Sequence, residues 1–190
     1  MHARPRAVVF TVSLLLAAAV AACGSREPPA SAGRAAAPTG PPPSAPALRQ
    51  LEAERSRLLD GGTDGFKRRL AALRGHPVVV NQWASWCPPC RYEFPFFQRL
   101  AAKYRGRIGF LGVDSNDNRG DAKQFLREFP TPYPHYFDPD TEIARLFRGG
   151  QAWPTTAFYD SKGKLARAHL GAYASQAKLD EDIREFALRG

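Results

Sequence analysis

Two cysteines separated by two prolines, Cys87 and Cys90, are the residues of this chain best suited to chemistry. They follow the apolar run 78–80, which predicts a strand, and the prolines suit the first turn of a helix, where a missing N–H costs little. A strand that leads into Cys-x-x-Cys at a helix N-terminus is typical of a redox dithiol. The spacing therefore predicts thiol–disulfide exchange.

The position of each cysteine predicts its role. The attacking species in thiol–disulfide exchange is a thiolate, and the N–H groups and dipole of a helix N-terminus stabilise that charge at Cys87. We therefore expect Cys87 to be partly exposed and to attack a disulfide of a partner protein. Cys90 follows three residues later on the same helix face, and we expect it to resolve the mixed disulfide.

Zinc binding and haem attachment also use Cys-x-x-Cys, but the sequence lacks what each requires. A structural zinc site needs four ligands, and the sequence has no second Cys or His pair at a fixed spacing. Haem attachment needs His directly after the second cysteine, where this chain has Arg91. The run 114–118 begins like a calcium loop, but Arg119 stands where such a loop needs Gly. We therefore expect no metal and no cofactor other than the redox-active Cys87–Cys90 disulfide. The alternative to a redox-active disulfide is a purely structural one.

Length and composition fit one globular domain with appendages. The chain has 190 residues, of which 44% are hydrophobic and 24% charged, enough to bury an ordinary core. Its formal net charge of +9 comes mostly from scattered arginines. Because the basic residues form no block, we expect no nucleic-acid partner; solubility, anionic lipid and an acidic partner remain explanations of the charge.

The first 22 residues have the three regions of a signal peptide. Basic residues precede the apolar stretch 8–22, which is short for a membrane-spanning helix and ends in small residues before Cys23. This end looks like a bacterial lipobox, in which Cys23 is lipidated and becomes the mature N-terminus. Ordinary cleavage near Ala22 and an uncleaved anchor are the alternatives. Residues 23–47 are rich in Pro and Ala and predict a disordered tether.

The hydrophobic pattern after the tether first predicts helices. Leu48, Leu51, Leu58 and Leu59 suggest one helix, and Thr63 suggests the cap of a second, so that 48–75 would be a helical extension.

The domain proper is predicted to span residues 76–190, with elements in the order β, α, β, α, an α-containing segment, then ββα. The alternation demands a partly parallel sheet with helices on both faces, and the final hairpin adds antiparallel strands. We expect Pro95 to interrupt and kink the helix that follows the cysteines. His76, His135 and His169 lack clustered ligands, and we expect them in loops or on the surface.

Several motifs together resemble one protein family. They are the run 80–91, Glu93 with Pro95, Gly112-Val113-Asp114, and Trp153-Pro154-Thr155-Thr156. In these the chain resembles the thioredoxin superfamily and, within it, the membrane-tethered TlpA, ResA and CcmG group. The resemblance implies an α/β thioredoxin-like fold, a central mixed sheet flanked by helices, with a central insertion at 129–140.

The resemblance also implies roles for residues around the cysteines. Glu93, one helical turn after Cys90, would assist proton transfer, because Asn81 stands where thioredoxins have a buried Asp and cannot titrate. Pro154 would have a cis peptide bond and face the cysteines. We therefore expect a substrate-binding rim made of Trp86, Pro88, Pro89, Trp153, Pro154 and Thr155, and expect either Trp83 or Trp86 to belong to the core.

The sequence thus predicts a thiol–disulfide oxidoreductase, lipid-anchored to the bacterial cell membrane with its domain on the extracytoplasmic side. The resemblance favours a monomeric reductant of protein disulfides, for example of apocytochrome c thiols, that is itself reduced by a membrane thiol transporter of the CcdA/DsbD type. An oxidase that forms disulfides in secreted proteins and a non-catalytic binding lipoprotein remain alternatives. The sequence does not set the direction of electron flow, which depends on how strongly the fold stabilises the thiolate.

Overall fold

The computed structural model describes residues 45–189, so the predicted signal peptide, Cys23 and the tether as far as residue 44 lie outside the described residues. The described elements are, in chain order, α1 (Pro46–Ala53), β1 (Leu58–Leu59), α2 (Gly62–Ala72), β2 (Val78–Trp83), α3 (Pro88–Lys103), β3 (Gly109–Ser115), α4 (Arg119–Glu128), β4 (His135–Asp138), α5 (Glu142–Arg145), β5 (Thr155–Tyr159), β6 (Leu165–Leu170) and α6 (Gln176–Asp182), which continues as a π-helical turn (Ile183–Ala187). Within this part of the chain, no helix is long and apolar enough to cross a membrane.

The strands form one mixed sheet in the order β1-β4-β3-β2-β5-β6. The first four in this order are parallel, whereas β5 pairs antiparallel with β2, and β6 antiparallel with β5. Strands β2 and β3 are buried along their whole length, as expected for parallel strands covered on both faces. The predicted mixed sheet flanked by helices is confirmed, and the chain leaves β2 directly into the loop that carries the cysteines.

Alternate residues of β2 pack against different helices, because successive side chains of a strand point to opposite faces. Val79 belongs to an apolar cluster with side chains of α3 and α6. Val78 and Val80 belong to a second cluster with side chains of α1, α2 and α5. We call the side of the sheet that carries Val79 the α3 face, and the side that carries Val78 and Val80 the α2 face. By the same alternation, Asn81 and Trp83 lie on the α3 face.

The start of the domain differs from the predicted single helix. Helix α1 ends at Ala53, and Leu58 and Leu59 form β1, which pairs in parallel with β4. The prediction of one helix reaching Leu59 was therefore wrong. Ser56 has a left-handed backbone with φ of 54°, and its N–H donates to the carbonyl of Tyr133 at 2.9 Å, so the chain turns into the sheet edge.

Helix α2 begins at Gly62, so Thr63 lies inside the helix rather than capping it. The helix buries Phe66 completely in the cluster on the α2 face, which also contains Leu51 of α1. Residues of the predicted extension 48–75 thus complete the core on one side of the sheet.

Two later segments also differ from the prediction. Helix α3 continues through Pro95 without a break, although we expected an interruption there. The segment 129–140, expected to be an insertion, contains β4, which lies in the sheet between β1 and β3.

His135 was expected in a loop, but it is a fully buried residue of β4. Its Nδ1 accepts a hydrogen bond from Trp83 Nε1 at 3.0 Å, so Nε2 carries the proton and donates to the Thr131 hydroxyl at 2.7 Å. Burial lowers the pKa of His135 to about 3, which keeps the ring neutral. The ring fits because the neighbouring residue of β3 is Gly112, where a Cβ atom would overlap the imidazole.

We expect Gly112→Ala to lower the free energy of unfolding by about 1 to 3 kcal/mol or more, because the new methyl group must displace a ring held by two hydrogen bonds. Gly65→Ala is the matched control. A Cβ there meets Tyr136 at an ordinary 3.7 Å, and alanine should stabilise α2 by about 0.5 to 1 kcal/mol. Urea denaturation measures both variants, and equal effects of the two substitutions would contradict the packing described for His135.

Candidate active site

The cysteine pair lies at the N-terminus of α3, as predicted. Cys87 is the N-cap residue, with an extended backbone, and Pro88 and Pro89 occupy the first turn. Cys87 and Cys90 form a disulfide, and the backbone N–H of Cys90 donates to Cys87 Sγ at 3.2 Å. The first free N–H group of the helix is thus aimed at the sulfur on which a thiolate would form.

The exposure of the cysteines differs from the prediction. Cys87 exposes only 1% of its surface and Cys90 none, so the expectation of a partly exposed Cys87 was wrong for the disulfide form. The exposed residues are the neighbours: Pro88 and Pro89 are exposed, and Trp86 exposes 52% of its surface. The reason is that Cys87 packs in the apolar cluster around Trp83 rather than projecting from the loop.

The loop between β2 and α3 is held by its neighbours. The backbone N–H and the hydroxyl of Ser85 both donate to the carboxylate of Asp117, the hydroxyl at 2.9 Å. Trp86 Nε1 donates to the carbonyl of Asn116 at 2.8 Å, and Arg91 Nε donates to the carbonyl of Ser85 at 3.2 Å. The loop after β3 therefore fixes the residues that precede the nucleophile.

The structure brings together two residues of the predicted rim, Trp86 and Trp153. The rings of Trp86 and Trp153 lie 5.5 Å apart between centroids, and Trp153 packs against the apolar cluster that contains both cysteines. Trp153 Nε1 donates to the carbonyl of Ser115 at 3.2 Å. The Trp153–Pro154 peptide bond is cis, as the resemblance implied.

Pro154 and Thr155, which were predicted to belong to the rim, are buried instead, and so is Trp83. Thr155 is fully buried in β5, and its hydroxyl donates to the carbonyl of Ala152 at 3.0 Å, so its side chain is not open to a partner protein here. Trp83 is also fully buried and stacks on Phe125 with 4.6 Å between ring centroids. Of the two tryptophans that flank the loop, Trp83 is therefore the core residue and Trp86 the exposed one.

Glu93 is buried beneath the first turns of α3. Its Oε1 accepts a hydrogen bond from Asn81 Nδ2 at 2.9 Å, and its Oε2 accepts one from the backbone N–H of Tyr173 at 3.0 Å. Burial raises the pKa of Glu93 to about 7, although the two hydrogen bonds partly oppose this rise. A carboxyl group one turn after Cys90 can therefore both accept and release a proton near neutral pH.

Asp114 is a second buried carboxyl group near the site; it belongs to the motif 112–114, but sequence reasoning gave it no chemical role. It lies on the α3 face beside Trp83 in the sheet register, and neither of its carboxylate oxygens has a hydrogen-bond partner among residues 45–189. Burial raises its pKa to about 9, and the negative charges of Asp117 and Asp138 add to the rise. A single acid directly after an apolar run of a buried strand is the sequence signal that could have identified it.

The chain is similar in sequence and in fold to known proteins. A model of the AhpC/TSA family matches residues 50–168. The chain is 27% identical over 123 residues to a thiol-disulfide oxidoreductase ResA of Bacillus cereus, and the alignment covers 64% of this chain and 70% of that protein. It is 33% identical over 111 residues to a thiol:disulfide interchange protein DsbE of Pseudomonas fluorescens, and this alignment covers 58% of this chain and 61% of that protein.

A solved structure of similar fold belongs to a protein with a related name. A Chlorobium tepidum protein described as a thiol:disulfide interchange protein DsbE has 32% sequence identity and a TM-score of 0.56. The superposition covers 61% of this chain and 83% of that one.

The pKa of Glu93 predicts a specific pH dependence of stability. The buried acid has its ordinary pKa of 4.5 when unfolded and about 7 when folded, so its protonated form favours the folded state. Relative to Glu93→Gln, the stability of the wild type should fall by about 3 kcal/mol as pH rises from below 4.5 to above 7. Urea denaturation across this range measures the difference.

The exposed Glu181 offers the matched control, since Glu181→Gln should retain the wild-type pH dependence. Stability curves for Glu93→Gln and the wild type that stay parallel from acid to neutral pH would show that the carboxyl group ionises at its ordinary pKa.

Proposed function

Because this chain belongs to the AhpC/TSA family and is a thiol-disulfide oxidoreductase of the thioredoxin superfamily, we propose that it reduces disulfide bonds of proteins outside the cytoplasm. The observation that carries the proposal is the Cys87–Cys90 disulfide at the N-terminus of α3, with the Cys90 N–H directed at Cys87 Sγ. This geometry favours negative charge on Cys87, which is what a nucleophilic thiolate requires.

The proposed cycle moves two electrons from the reduced pair to a partner disulfide. The Cys87 thiolate attacks one sulfur of the partner; a mixed disulfide forms, and the other partner sulfur leaves as a thiolate that takes a proton from solvent. Cys90 then loses its proton and attacks Cys87 Sγ. The Cys87–Cys90 bond forms, and the second partner sulfur leaves as a thiolate and is protonated. The partner ends with two thiols and the protein with its disulfide.

Glu93 is the proposed acceptor of the Cys90 proton. The two residues are three apart on α3, so they share one helix face, and both are fully buried. Water therefore has poor access to Cys90, and a nearby base is needed to form its thiolate. A carboxylate with a pKa near 7 suits this role, because it is partly ionised at neutral pH and can later release the proton.

The rim is the proposed docking surface for the partner. Trp86 presents an exposed indole, and Trp153 lies against it beside the cis-Pro154 loop. An extended partner segment would lie along this loop and bring its disulfide to Cys87, which itself exposes little surface. Contact with Trp86 and the exposed Pro88 and Pro89 would then exclude water from the exchange.

The remaining parts of the proposal come from the sequence and from the family resemblance. The predicted signal peptide and Cys23 support a lipid anchor that holds the domain on the extracytoplasmic side of the cell membrane. In an oxidising compartment a reductant needs a supply of electrons, and a CcdA/DsbD-type membrane transporter is the proposed source. Apocytochrome c thiols awaiting haem are the proposed target.

We expect Cys87→Ser to lower the rate of insulin disulfide reduction by at least about a hundredfold, because a serine hydroxyl cannot replace the thiolate. Cys90→Ser should still attack and should accumulate a mixed disulfide, visible as an added mass that a reductant removes. Equal insulin reduction by Cys87→Ser and the wild type would sink the catalytic proposal and leave the non-catalytic binding lipoprotein.

The direction of electron flow has a separate test. Equilibration of the Cys87–Cys90 pair with glutathione should give a potential near that of thioredoxin, about −270 mV, if the protein is a reductant. A value near that of DsbA, about −120 mV, would instead support the oxidase. Loss of c-type cytochromes on deletion of the gene would support the proposed substrate.

A further inference from the structure

The β3–α4 loop, which we define as residues 116–118, supports the active site from one side. The indole N–H groups of both rim tryptophans donate to backbone carbonyls of residues 115–116, at 2.8 and 3.2 Å. The carboxylate of Asp117 accepts two hydrogen bonds from Ser85, which shortly precedes Cys87. The placement of the rim and of the residues before the nucleophile therefore depends on how this loop is held.

Asp114 lies just before the β3–α4 loop, and its surroundings do not suit an ionised carboxylate. It exposes none of its surface, and neither of its oxygens meets an N–H or O–H donor within residues 45–189. Its neighbours in the strand register are Trp83 on β2 and Phe137 on β4, both aromatic. A carboxylate in this position would be a buried charge without a hydrogen bond, which is a costly arrangement in a protein interior.

One polar group does lie within hydrogen-bonding reach of Asp114, the carboxyl group of Asp117. Two carboxylates repel each other, whereas a carboxylic acid donates a strong hydrogen bond to a carboxylate. The contact is therefore favourable only if a proton or a cation lies between the two groups. Among the described residues, no three Asp, Glu, His or Cys side chains are grouped so that they could hold a metal ion. A shared proton fits the contact better.

The hydrogen bonds around the pair indicate which acid holds the proton. The carboxylate of Asp117 accepts the backbone N–H and the hydroxyl of Ser85 and the backbone N–H of Asn118, so three donors stabilise its charge. Asp114 has no such donor and is the more buried of the two. The proton therefore belongs on Asp114, whose O–H then makes the one hydrogen bond that its position allows.

We propose that Asp114 is a positioning residue that, as a neutral acid, donates a hydrogen bond to Asp117 and so fixes the β3–α4 loop beneath the rim. Because Asp117 also binds Ser85, this bond connects β3 to the loop that carries Cys87. The effect on activity rests on the proposed function, in which the rim docks the partner protein. Asp114 keeps its proton throughout the exchange and gives none to the cysteines.

The charged groups that face Asp114 keep the proton in place. Burial above all raises the pKa of Asp114 to about 9, and the charge of Asp117, the hydrogen bond to it and the charge of Asp138 on β4 add to the rise. Asp138 stays a charge because it accepts two backbone N–H groups at the start of α5. Arg119 at the start of α4 lowers the pKa of Asp114, but its guanidinium is paired with Asp60. Below about pH 9 the pair therefore retains its proton.

An NMR titration of the side-chain carboxyl carbons in the disulfide form tests the pair itself. The Asp114 signal should remain that of a neutral acid through neutral pH and titrate near 9. Asp117→Asn removes the facing charge and should move this midpoint to about pH 8 or below. A midpoint near the ordinary 3.8 would overturn the shared proton, and so would a midpoint that millimolar Ca²⁺ lowers, since a cation would then join the two groups.

The positioning role is tested by insulin reduction with dithiothreitol as the electron donor. Asp114→Ala removes the hydrogen bond to Asp117 and should raise the KM for insulin about fivefold with kcat unchanged, the effect of one ordinary hydrogen bond on a docking surface. Asp114→Asn should restore the wild-type KM, because its amide N–H donates to Asp117 without needing an added proton. Between pH 7 and about 9.5 the KM of the wild type should rise relative to that of Asp114→Asn, as Asp114 ionises.

Two controls separate positioning from a general loss of structure. Ellman's reagent is too small to need the rim, so its attack by Cys87 should proceed equally fast in the wild type and in Asp114→Ala. Asp160 is the matched residue at the opposite end of the sheet: it is 6% exposed and accepts two backbone N–H groups in the turn between β5 and β6. Asp160→Ala should lower stability and leave the KM for insulin unchanged.

Failure of this inference and failure of the proposed function are distinguishable. If Asp114→Asn raises KM as much as Asp114→Ala, or if both match the wild type at every pH, the positioning role is overturned while the reductase stands. Should Asp114→Ala not fold, the pH comparison between the wild type and Asp114→Asn decides alone. If the wild type reduces neither insulin nor Ellman's reagent, the proposed function fails, and the effect of Asp114 on docking fails with it.

Discussion

The hydrogen bond from Asn81 to Glu93 joins the central strand of the sheet to the helix that carries the cysteines, and much of the site depends on it. Its length is 2.9 Å, and a second bond, from the backbone N–H of Tyr173, ties the same carboxyl group to the segment after β6. Three separate parts of the chain thus meet at one buried acid. That acid stays ionisable because burial and hydrogen bonding oppose each other, which leaves its pKa near 7.

The parts of this arrangement that could be predicted from sequence are those encoded locally. Cys87 and Cys90 are recognisable because their roles depend on a spacing of three residues and on a strand that precedes a helix. Glu93 follows by the same argument, since one further turn of the helix places it on the same side. The parallel strands β2 and β3 were predictable because each contains a short apolar run, as strands that are covered on both faces do.

The rest depends on register between strands, which no local pattern encodes. His135 has no sequence neighbour that explains its burial; the space for it comes from Gly112, which lies beside it only once β3 and β4 are paired. Leu58 and Leu59 fit a helix by periodicity, but they pair instead with β4, which would otherwise be the edge strand of the sheet. Local propensity predicted a helix there, and tertiary pairing overrode it. The low exposure of Cys87 likewise reflects packing against Trp83 rather than its position in the sequence.

Stability alone would favour a different set of residues on the α3 face. Replacing a buried polar group that lacks its partner by an apolar residue of similar shape is neutral or stabilising, and the Thr156 hydroxyl is such a group. Valine in its place would extend the apolar row that Val79 and Phe158 form on this face. Asn81 differs, because its amide donates to the buried Glu93, and its loss would leave that carboxyl group with one hydrogen bond fewer. Departures of this kind from a well-packed interior occur where function requires them, and here they surround the one carboxyl group that the proposed chemistry needs to keep in exchange with protons.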